Sequence, residues 1–146
     1  MKLVVYTDGG ARNNPGPAAI GVVITQEDQT LKKYSDFIGQ ATNNQAEYQA
    51  VIFALKKVKL LFGKKKAKKM NIEVCLDSQL MVKQLNHQYK IKEKDLQLLF
   101  LKVWNLILDF GQVSFKHIPR QQNKEADRLV NQALDNQEKI LDIPFE

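Results

Sequence analysis

The sequence predicts an α/β domain with a five-stranded mixed sheet flanked by helices. Its first third alternates runs of β-branched and aromatic residues with polar turns, a pattern typical of antiparallel strands. From Asn44 onward apolar residues recur at helical spacing, and two further short apolar runs lie between the later helices. The predicted order β-β-β-α-β-α-α-β-α gives three antiparallel strands to which two more strands are added.

The first three elements are predicted as strands joined by short loops. Residues 2–7 are rich in β-branched and aromatic side chains and are followed by Asp8-Gly9-Gly10 and an Asn/Pro/Gly cluster at residues 12–17. This pattern predicts a strand that enters a glycine-rich loop. Residues 20–25 and 31–38 predict two further strands, so the first third is interpreted as an antiparallel meander.

A long amphipathic helix is predicted to begin near Asn44 and to end at Gly63. Its apolar face consists of Tyr48, Val51, Ile52, Leu55, Val58 and Phe62. Residues 64–69 carry five lysines, which are interpreted either as an electrostatic grip on a polyanion or as a solvated loop. The apolar segment at residues 72–76 is short enough for a buried strand.

The remaining elements alternate between helix and strand. Asp77-Ser78 is predicted to open a short helix, and a strongly apolar helix is predicted at residues 95–110. The apolar–polar alternation at residues 113–117 indicates a fifth strand, which Pro119 ends. Asn123 is predicted to cap a last helix that runs to about Asn136.

Composition and charge limit the class of protein. With 146 residues and 44% hydrophobic content the chain buries one core, and we expect one domain at residues 1–137 followed by a tail at residues 138–146. The net charge of +6 suits a polyanionic partner. No apolar stretch has the length of a signal peptide or a membrane span, so we expect a cytoplasmic protein. The lone Cys75 excludes an internal disulfide and a cysteine-based zinc site.

Four acidic residues lie where a soluble domain would place apolar side chains. Asp8 and Asp77 each follow a predicted strand, so both carboxylates are expected at one edge of neighbouring strands. Glu47 and Asp127 each lie three or four residues before an apolar position of a predicted helix, on or beside its inward face. If the four side chains converge, they form one acidic cluster.

Such a cluster needs cations, because two unit charges about 4 Å apart repel by on the order of 4 kcal/mol at an effective dielectric constant of about 20. Oxygen-only ligands favour Mg²⁺ or Mn²⁺ over zinc or copper. Two such ions roughly 3.5–4 Å apart are the arrangement used for phosphoryl-transfer hydrolysis. The cluster is therefore a candidate two-metal site.

Each acidic residue also has a structural interpretation, and spacing alone does not decide between the two. Asp8 could form an Asx turn before its glycines, and Glu47 could close a capping box with Asn44. Asp77 could cap the helix that follows it. Asp127 could pair with a cation nearby in the chain; the candidates are Arg120, Lys124 and Arg128.

Four motifs resemble, in the same order, those of the ribonuclease H type 1 family. They are YTDGGARNNPGPA at residues 6–18, TNNQAE at 42–47, DSQ at 77–79 and NKEADRL at 123–129. The resemblance covers nearly the whole chain and implies a ribonuclease H-like fold. We expect a short, monomeric form without the basic protrusion or the N-terminal hybrid-binding domain of other members.

The resemblance implies an endonuclease that cleaves the RNA strand of an RNA/DNA hybrid and leaves 5′-phosphate and 3′-hydroxyl ends. Asp8 would bridge two Mg²⁺ ions, with Mn²⁺ as a substitute. Glu47 and Asp77 would complete one coordination sphere, and Asp127 would contribute to the other. One ion would activate a water, and the other would stabilise the departing 3′ oxygen.

The resemblance also implies substrate contacts. Asn14, Asn43, Asn44 and Gln79 match positions that contact the minor groove, and Thr42 matches a position near a DNA-strand phosphate. Amides both donate to and accept from base edges and sugar hydroxyls, so little sequence preference is expected. Double-stranded RNA stays open as a second substrate.

The chain departs from the family pattern in two places. Residues 118–122 lack the histidine that other members carry before the last helix; Arg120 is the candidate to approach the scissile phosphate instead, and His117 is interpreted as structural. Residues 87–94 are too few to hold the basic element of many bacterial members. A hybrid-binding module without catalysis is the alternative from another class, but it would lack a carboxylate, and all four are present.

Overall fold

The computed structural model describes residues 1–141. It contains five strands, whose bounds are Lys2–Ala11 (β1), Gly16–Gln26 (β2), Gln29–Ala41 (β3), Asn71–Leu76 (β4) and Gln112–His117 (β5). The helices are Asn43–Phe62 (α1), Lys64–Ala67 (α2), Gln79–Leu85 (α3), Lys94–Ile107 (α4) and Lys124–Leu141 (α5), with a 3₁₀ turn at Arg120–Gln122. No helix of this part of the chain has the length and apolar character needed to cross a membrane.

The five strands form one sheet in the order β3-β2-β1-β4-β5. β1, β2 and β3 pair antiparallel, whereas β4 pairs parallel with both β1 and β5. This confirms the predicted mixed sheet, in which an antiparallel meander is extended by two strands. Because β1 and β4 are parallel neighbours, the residues that follow them lie at the same edge of the sheet.

Helices cover both faces of the sheet. Alternate residues of β2 show this: Val22 and Ile24 pack in the main core with α1, α3 and α4, whereas Ala19 packs with Val130 and Leu134 of α5. Successive strand side chains point to opposite faces, so a residue's parity decides which helix layer it contacts. The fold is thus a sheet between a larger and a smaller helical layer.

The first strand is longer than predicted. β1 continues through Asp8, Gly9 and Gly10 to Ala11, because these residues pair with the start of β2. The expected glycine-rich loop is therefore only residues 12–15. Gly9 permits a close approach between β1 and α1 rather than a turn.

Other bounds also differ from prediction: β2 and β3 extend beyond the predicted residues 20–25 and 31–38 at both ends. The lysine-rich segment contains the helical turn α2, and α4 ends at Ile107 rather than near Gly111. α5 continues to Leu141, so Ile140 and Leu141 of the predicted tail lie in this helix with exposed side chains. The rest of the tail, including Ile143 and Phe145, lies outside the described residues. Gly63 ends α1 with φ of 85°, as predicted.

Candidate active site

Two parallel strands bring Asp8 and Asp77 together. The last pair in the register between β1 and β4 is Tyr6 opposite Cys75. Asp8 and Asp77 each lie two residues beyond that pair, at the same edge of the sheet. The predicted proximity of these two side chains is confirmed.

α1 brings Glu47 to the same edge because α1 lies almost against the backbone of β1. A Cβ atom placed on Gly9 would lie 2.3 Å from the carbonyl oxygen of Ala46, so only glycine permits this approach. One carboxylate oxygen from each of Asp8, Glu47 and Asp77 lies within 4.8 Å of the other two. These three residues form the centre of the cluster.

Asp127 reaches the cluster from the opposite helical layer. It lies in the first turn of α5, and its carboxylate is close enough to Asp8 to raise the pKa of that group. All four carboxylates line one cavity of about 450 Å³. The predicted convergence of four acidic side chains from distant parts of the chain is therefore confirmed.

Burial and mutual repulsion make the cluster hard to ionise. Burial, followed by the charges of Asp77, Asp127 and Glu47, raises the pKa of Asp8 to about 8. Burial also raises the pKa of Glu47 to about 7, although a hydrogen bond from Ser78 and the charge of Arg120 oppose the shift. Both carboxyl groups thus hold their protons far above the ordinary range unless a positive charge enters the cavity.

The structure excludes the structural interpretations for three of these residues. Asp8 is inside β1 and forms no turn, and Ser78 rather than Asp77 caps α3 by accepting from the backbone N–H of Met81. The capping box of α1 does not involve Glu47. It is formed instead by Thr42 and Gln45.

The structural interpretation of Asp127 also fails. In residues 1–141 its carboxylate forms no ion pair, and Arg128 pairs with Glu125 instead.

The four carboxylates together fit hard divalent cations, since they supply only carboxylate oxygens, three of them close enough for one ion. A cation would also offset the repulsion that raises the two pKa values.

One hydrogen bond joins the predicted substrate residues Asn14 and Asn43 beside the cavity. The side-chain oxygen of Asn14 accepts from the backbone N–H of Asn43 at 2.9 Å, and the side-chain oxygen of Asn43 accepts from the N–H of Ala11 at 2.8 Å. Both oxygens are engaged, so the amide N–H groups are what these side chains offer to a ligand. Asn43 also lines the cavity itself.

The other predicted contacts lie around the same edge. Thr42 caps α1, Asn44 is half-buried in its first turn, and Gln79 is exposed at the start of α3. Arg120 lines the cavity together with the carboxylates. His117 ends β5 with an exposed side chain and is not part of the cavity lining, so the structure shows no packing role for it.

Several residues of the site were not predicted from the sequence. Ser78 opposes the rise in the pKa of Glu47, and its position directly after a strand-ending Asp was the available signal. Arg12 and Asn131 line the cavity, and Arg12 forms ion pairs with Asp135 and Glu138 of α5 at 2.7 and 2.6 Å. These ion pairs join residues more than a hundred positions apart, so no local sequence pattern predicts them.

Asn123 does not act as the predicted side-chain cap of α5. Its side-chain oxygen, the group that would cap, has no hydrogen-bond partner within the described chain. Its amide nitrogen donates instead to Asp77 and to the backbone of β1. The residue thus belongs to the site rather than to the helix end.

Comparisons with known proteins agree with this geometry. A profile of the reverse transcriptase-like family matches residues 6–133. A ribonuclease HI of Halobacterium salinarum is 41% identical over 92% of this chain and 65% of its own length. A bifunctional protein of Mycobacterium tuberculosis is 38% identical over 92% of this chain and 36% of its own length, so the chain spans only part of these relatives.

A solved structure gives the same result. The crystal structure of the ribonuclease H1 LC11 in complex with an RNA/DNA hybrid matches with a TM-score of 0.87 and 47% identity, covering 92% of this chain and 97% of that chain. The match therefore takes in most of the fold described above.

Proposed function

Because the chain belongs to the ribonuclease H type 1 family, we propose that it is an endoribonuclease that hydrolyses the RNA strand of RNA/DNA hybrids. The observation that carries the proposal is the cavity in which Asp8, Glu47, Asp77 and Asp127 converge. The hybrid bound by the similar ribonuclease H1 LC11 supports the substrate class. A site built wholly from one chain is consistent with action as a monomer.

The four carboxylates are proposed to hold two divalent cations, Mg²⁺ in the first place and Mn²⁺ as a substitute. The all-oxygen donor set, with three oxygens within 4.8 Å of one another, fits these ions. When bound, such ions lower the pKa of coordinated water and stabilise negative charge on a departing oxygen. That chemistry accounts for products with 5′-phosphate and 3′-hydroxyl ends.

Positive and amide groups around the cavity are proposed to hold the hybrid. Arg120 would bind the scissile phosphate, because its side chain lines the cavity together with the carboxylates. Asn14 and Asn43 present amide N–H groups toward minor-groove acceptors, which occur on every base pair. Asn44, Gln79 and Thr42 extend this surface along the edge of the sheet. Such contacts read the shape of the duplex rather than its sequence.

The substrate and metal are tested by incubating the chain with labelled RNA/DNA, RNA/RNA and DNA/DNA duplexes in Mg²⁺, Mn²⁺ or chelator. We expect cleavage of the RNA strand of the hybrid only when metal is present, with 5′-phosphate and 3′-hydroxyl ends on the products. Cleavage of RNA/RNA at a comparable rate would widen the substrate class to double-stranded RNA. Cleavage in chelator would overturn the metal-dependent mechanism.

The site is tested by Asp8→Asn, which removes a charge from the centre of the cluster with little change of shape. We expect cleavage to fall below detection while hybrid binding persists, because the binding groups lie elsewhere on the edge of the sheet. The matched control is Asp36→Asn on β3, where the side chain is exposed and away from the cavity lining. Normal turnover by Asp8→Asn would remove Asp8 from the mechanism.

A further inference from the structure

Asn123 connects the two strand ends that carry the central carboxylates. It lies between the 3₁₀ turn and α5, and only 1% of it is exposed. Its side-chain Nδ2 donates to the carbonyl oxygen of Thr7 at 2.9 Å and to Oδ2 of Asp77 at 3.0 Å. Thr7 directly precedes Asp8, so one amide group contacts the backbone beside one carboxylate and the oxygen of another.

The remaining polar atom of this side chain contributes no hydrogen bond within the described residues. Oδ1 of Asn123 is buried without a hydrogen-bond partner in the described residues. The same is true of Oγ1 of Thr7, the residue whose carbonyl oxygen Asn123 contacts. Burial of an unpaired amide oxygen is unfavourable. A leucine of similar shape would avoid that cost but would lose both N–H donors. The side chain thus combines one unpaired oxygen with an amide nitrogen that donates two hydrogen bonds.

We propose that Asn123 is a positioning residue that orients the carboxylate of Asp77 for binding a divalent cation. This inference rests on the proposed function, in which Asp77 is a metal ligand. The two hydrogens of one rigid amide group hold an oxygen of Asp77 at a set distance from the carbonyl before Asp8. A carboxylate has a second oxygen and further lone pairs, so Asp77 keeps this bond while it ligates an ion.

The geometry explains why such a restraint is needed. Asp8, Glu47 and Asp77 repel one another when charged, and a free carboxylate at the end of a strand would rotate away from its neighbours. Asn123 restrains Asp77 through the hydrogen bond from its Nδ2 to Oδ2 of Asp77. Groups that orient metal ligands in this way change metal affinity when they are removed.

The test is Asn123→Leu, which keeps the approximate shape of the side chain and removes both donors. The matched control is Asn136→Leu at an exposed position of α5. Titration of the nucleic-acid-free protein with Mn²⁺, followed by calorimetry and electron paramagnetic resonance, should show affinity weakened roughly 10–100-fold in Asn123→Leu and unchanged in the control. Asn123→Ala is measured in parallel, and thermal unfolding in chelator verifies that each variant is folded.

A second measurement separates positioning from a merely structural role. In Asn123→Leu, kcat at low Mg²⁺ should fall by a similar factor and recover as Mg²⁺ is raised, while KM for the hybrid stays at its wild-type value. A structural defect would not be repaired by more metal. A fall in kcat that high Mg²⁺ leaves unchanged would overturn the proposal.

Asp77→Asn distinguishes failure of this inference from failure of the proposed function. If Asp77→Asn loses Mn²⁺ binding while folded Asn123→Leu or Asn123→Ala binds as tightly as the wild type, Asn123 has no positioning role although the site is a metal site. If the wild type and Asp77→Asn bind Mn²⁺ equally well, Asp77 is not a ligand, and the role proposed for Asn123 is overturned with it.

Discussion

Asp8 shows how a single residue can be costly to the fold and necessary to the proposed function. It lies inside a strand, half-buried and surrounded by three other carboxyl groups, and its pKa is raised to about 8 from a usual value of 3.8. The folded, metal-free protein therefore binds a proton at Asp8 more tightly than the unfolded chain does. By linkage, the stability associated with this group is fully present below pH 3.8 and is lost as pH rises toward 8.

This linkage predicts how Asp8→Asn changes stability. In chelator at pH 8 the variant should be more stable than the wild type by on the order of 1–3 kcal/mol, because it removes an unfavourable charge. Near pH 4 the two proteins should be equally stable, since Asp8 is protonated there. Urea unfolding at a series of pH values measures the difference. A difference that does not vary with pH would contradict the electrostatic explanation, and saturating Mg²⁺ should reduce the advantage of the variant.

At the scale of elements, the position of the first turns of α1 determines where Glu47 and the amide side chains of the site lie. Thr42 accepts from the N–H of Gln45, whose own side chain accepts from the N–H of Thr42. Gly9 allows the first turns of the helix to lie against β1. The hydrogen bond from Asn43 N–H to Asn14 joins the loop at residues 12–15 to the same helix end. The proposed metal ligand Glu47, the proposed substrate amides and the helix cap thus lie in one short segment.

The close approach of α1 to β1 predicts a large effect of Gly9→Ala. The added Cβ would lie 2.3 Å from the oxygen and 2.4 Å from the carbon of the Ala46 carbonyl, which are backbone atoms that cannot rotate away. We expect a loss of about 1–3 kcal/mol in the free energy of unfolding. Cleavage should also be lost, because the helix that carries Glu47 must move.

The neighbouring glycine is the matched control for that variant. A Cβ on Gly10 would meet Val130 Cγ1 at 3.7 Å, an ordinary van der Waals contact. Gly10→Ala should therefore unfold close to the wild type in a denaturant titration. Equal effects of the two substitutions would show that glycine flexibility, rather than helix approach, matters at this edge.

The cap of α1 predicts a smaller effect. Thr42→Ala should lower the free energy of unfolding by about 1 kcal/mol, because the N–H of Gln45 loses its acceptor. Thr42→Ser keeps the hydroxyl and should retain most of that stability. Thermal or urea unfolding compares the three proteins. If Thr42→Ser is destabilised as much as Thr42→Ala, the methyl group rather than the cap is responsible.

At the scale of the whole molecule, charge is divided between the two ends of the sheet. The carboxylate cavity lies beyond the end of β4, whereas the exposed lysines of α2 lie just before its start at Asn71. A six-residue strand separates the two regions by about 20 Å. The lysines therefore raise the net charge without lining the proposed catalytic cavity, and they are exposed on and beside the helical turn α2 rather than on the predicted loop.

This separation predicts different effects of two charge removals on hybrid binding. Wild-type affinity should fall steeply as salt is added, because phosphate contacts release counterions. Arg120→Gln should weaken binding and make the plot of log affinity against log salt shallower by about one unit. Neutralising Lys64, Lys65 and Lys66 together should leave that slope nearly unchanged. An equal or larger effect of the lysines would show that the duplex reaches the far end of the sheet.

The sequence alone determined the order of the strands and of the four longer helices, the mixed sheet and the four acidic positions, because these depend on local periodicity and on short motifs. It missed the short helical turns at Lys64–Ala67 and Arg120–Gln122. It could not determine which groups make hydrogen bonds. Asn44 with Glu47 and Thr42 with Gln45 both have the spacing of a capping box, and Asn123 before a helix has the composition of a cap. Which oxygen accepts depends on where the helix begins and on what lies across from it.

Tertiary structure decided those questions because it fixes distances between residues far apart in the chain. Parallel pairing of β1 with β4 places Asp77 beside Asp8, and the lack of a side chain at Gly9 admits the helix that carries Glu47. The raised pKa values and the bond from Asn123 to Asp77 exist only after this assembly. Burial and electrostatic coupling depend on three-dimensional separation, which local sequence patterns do not contain.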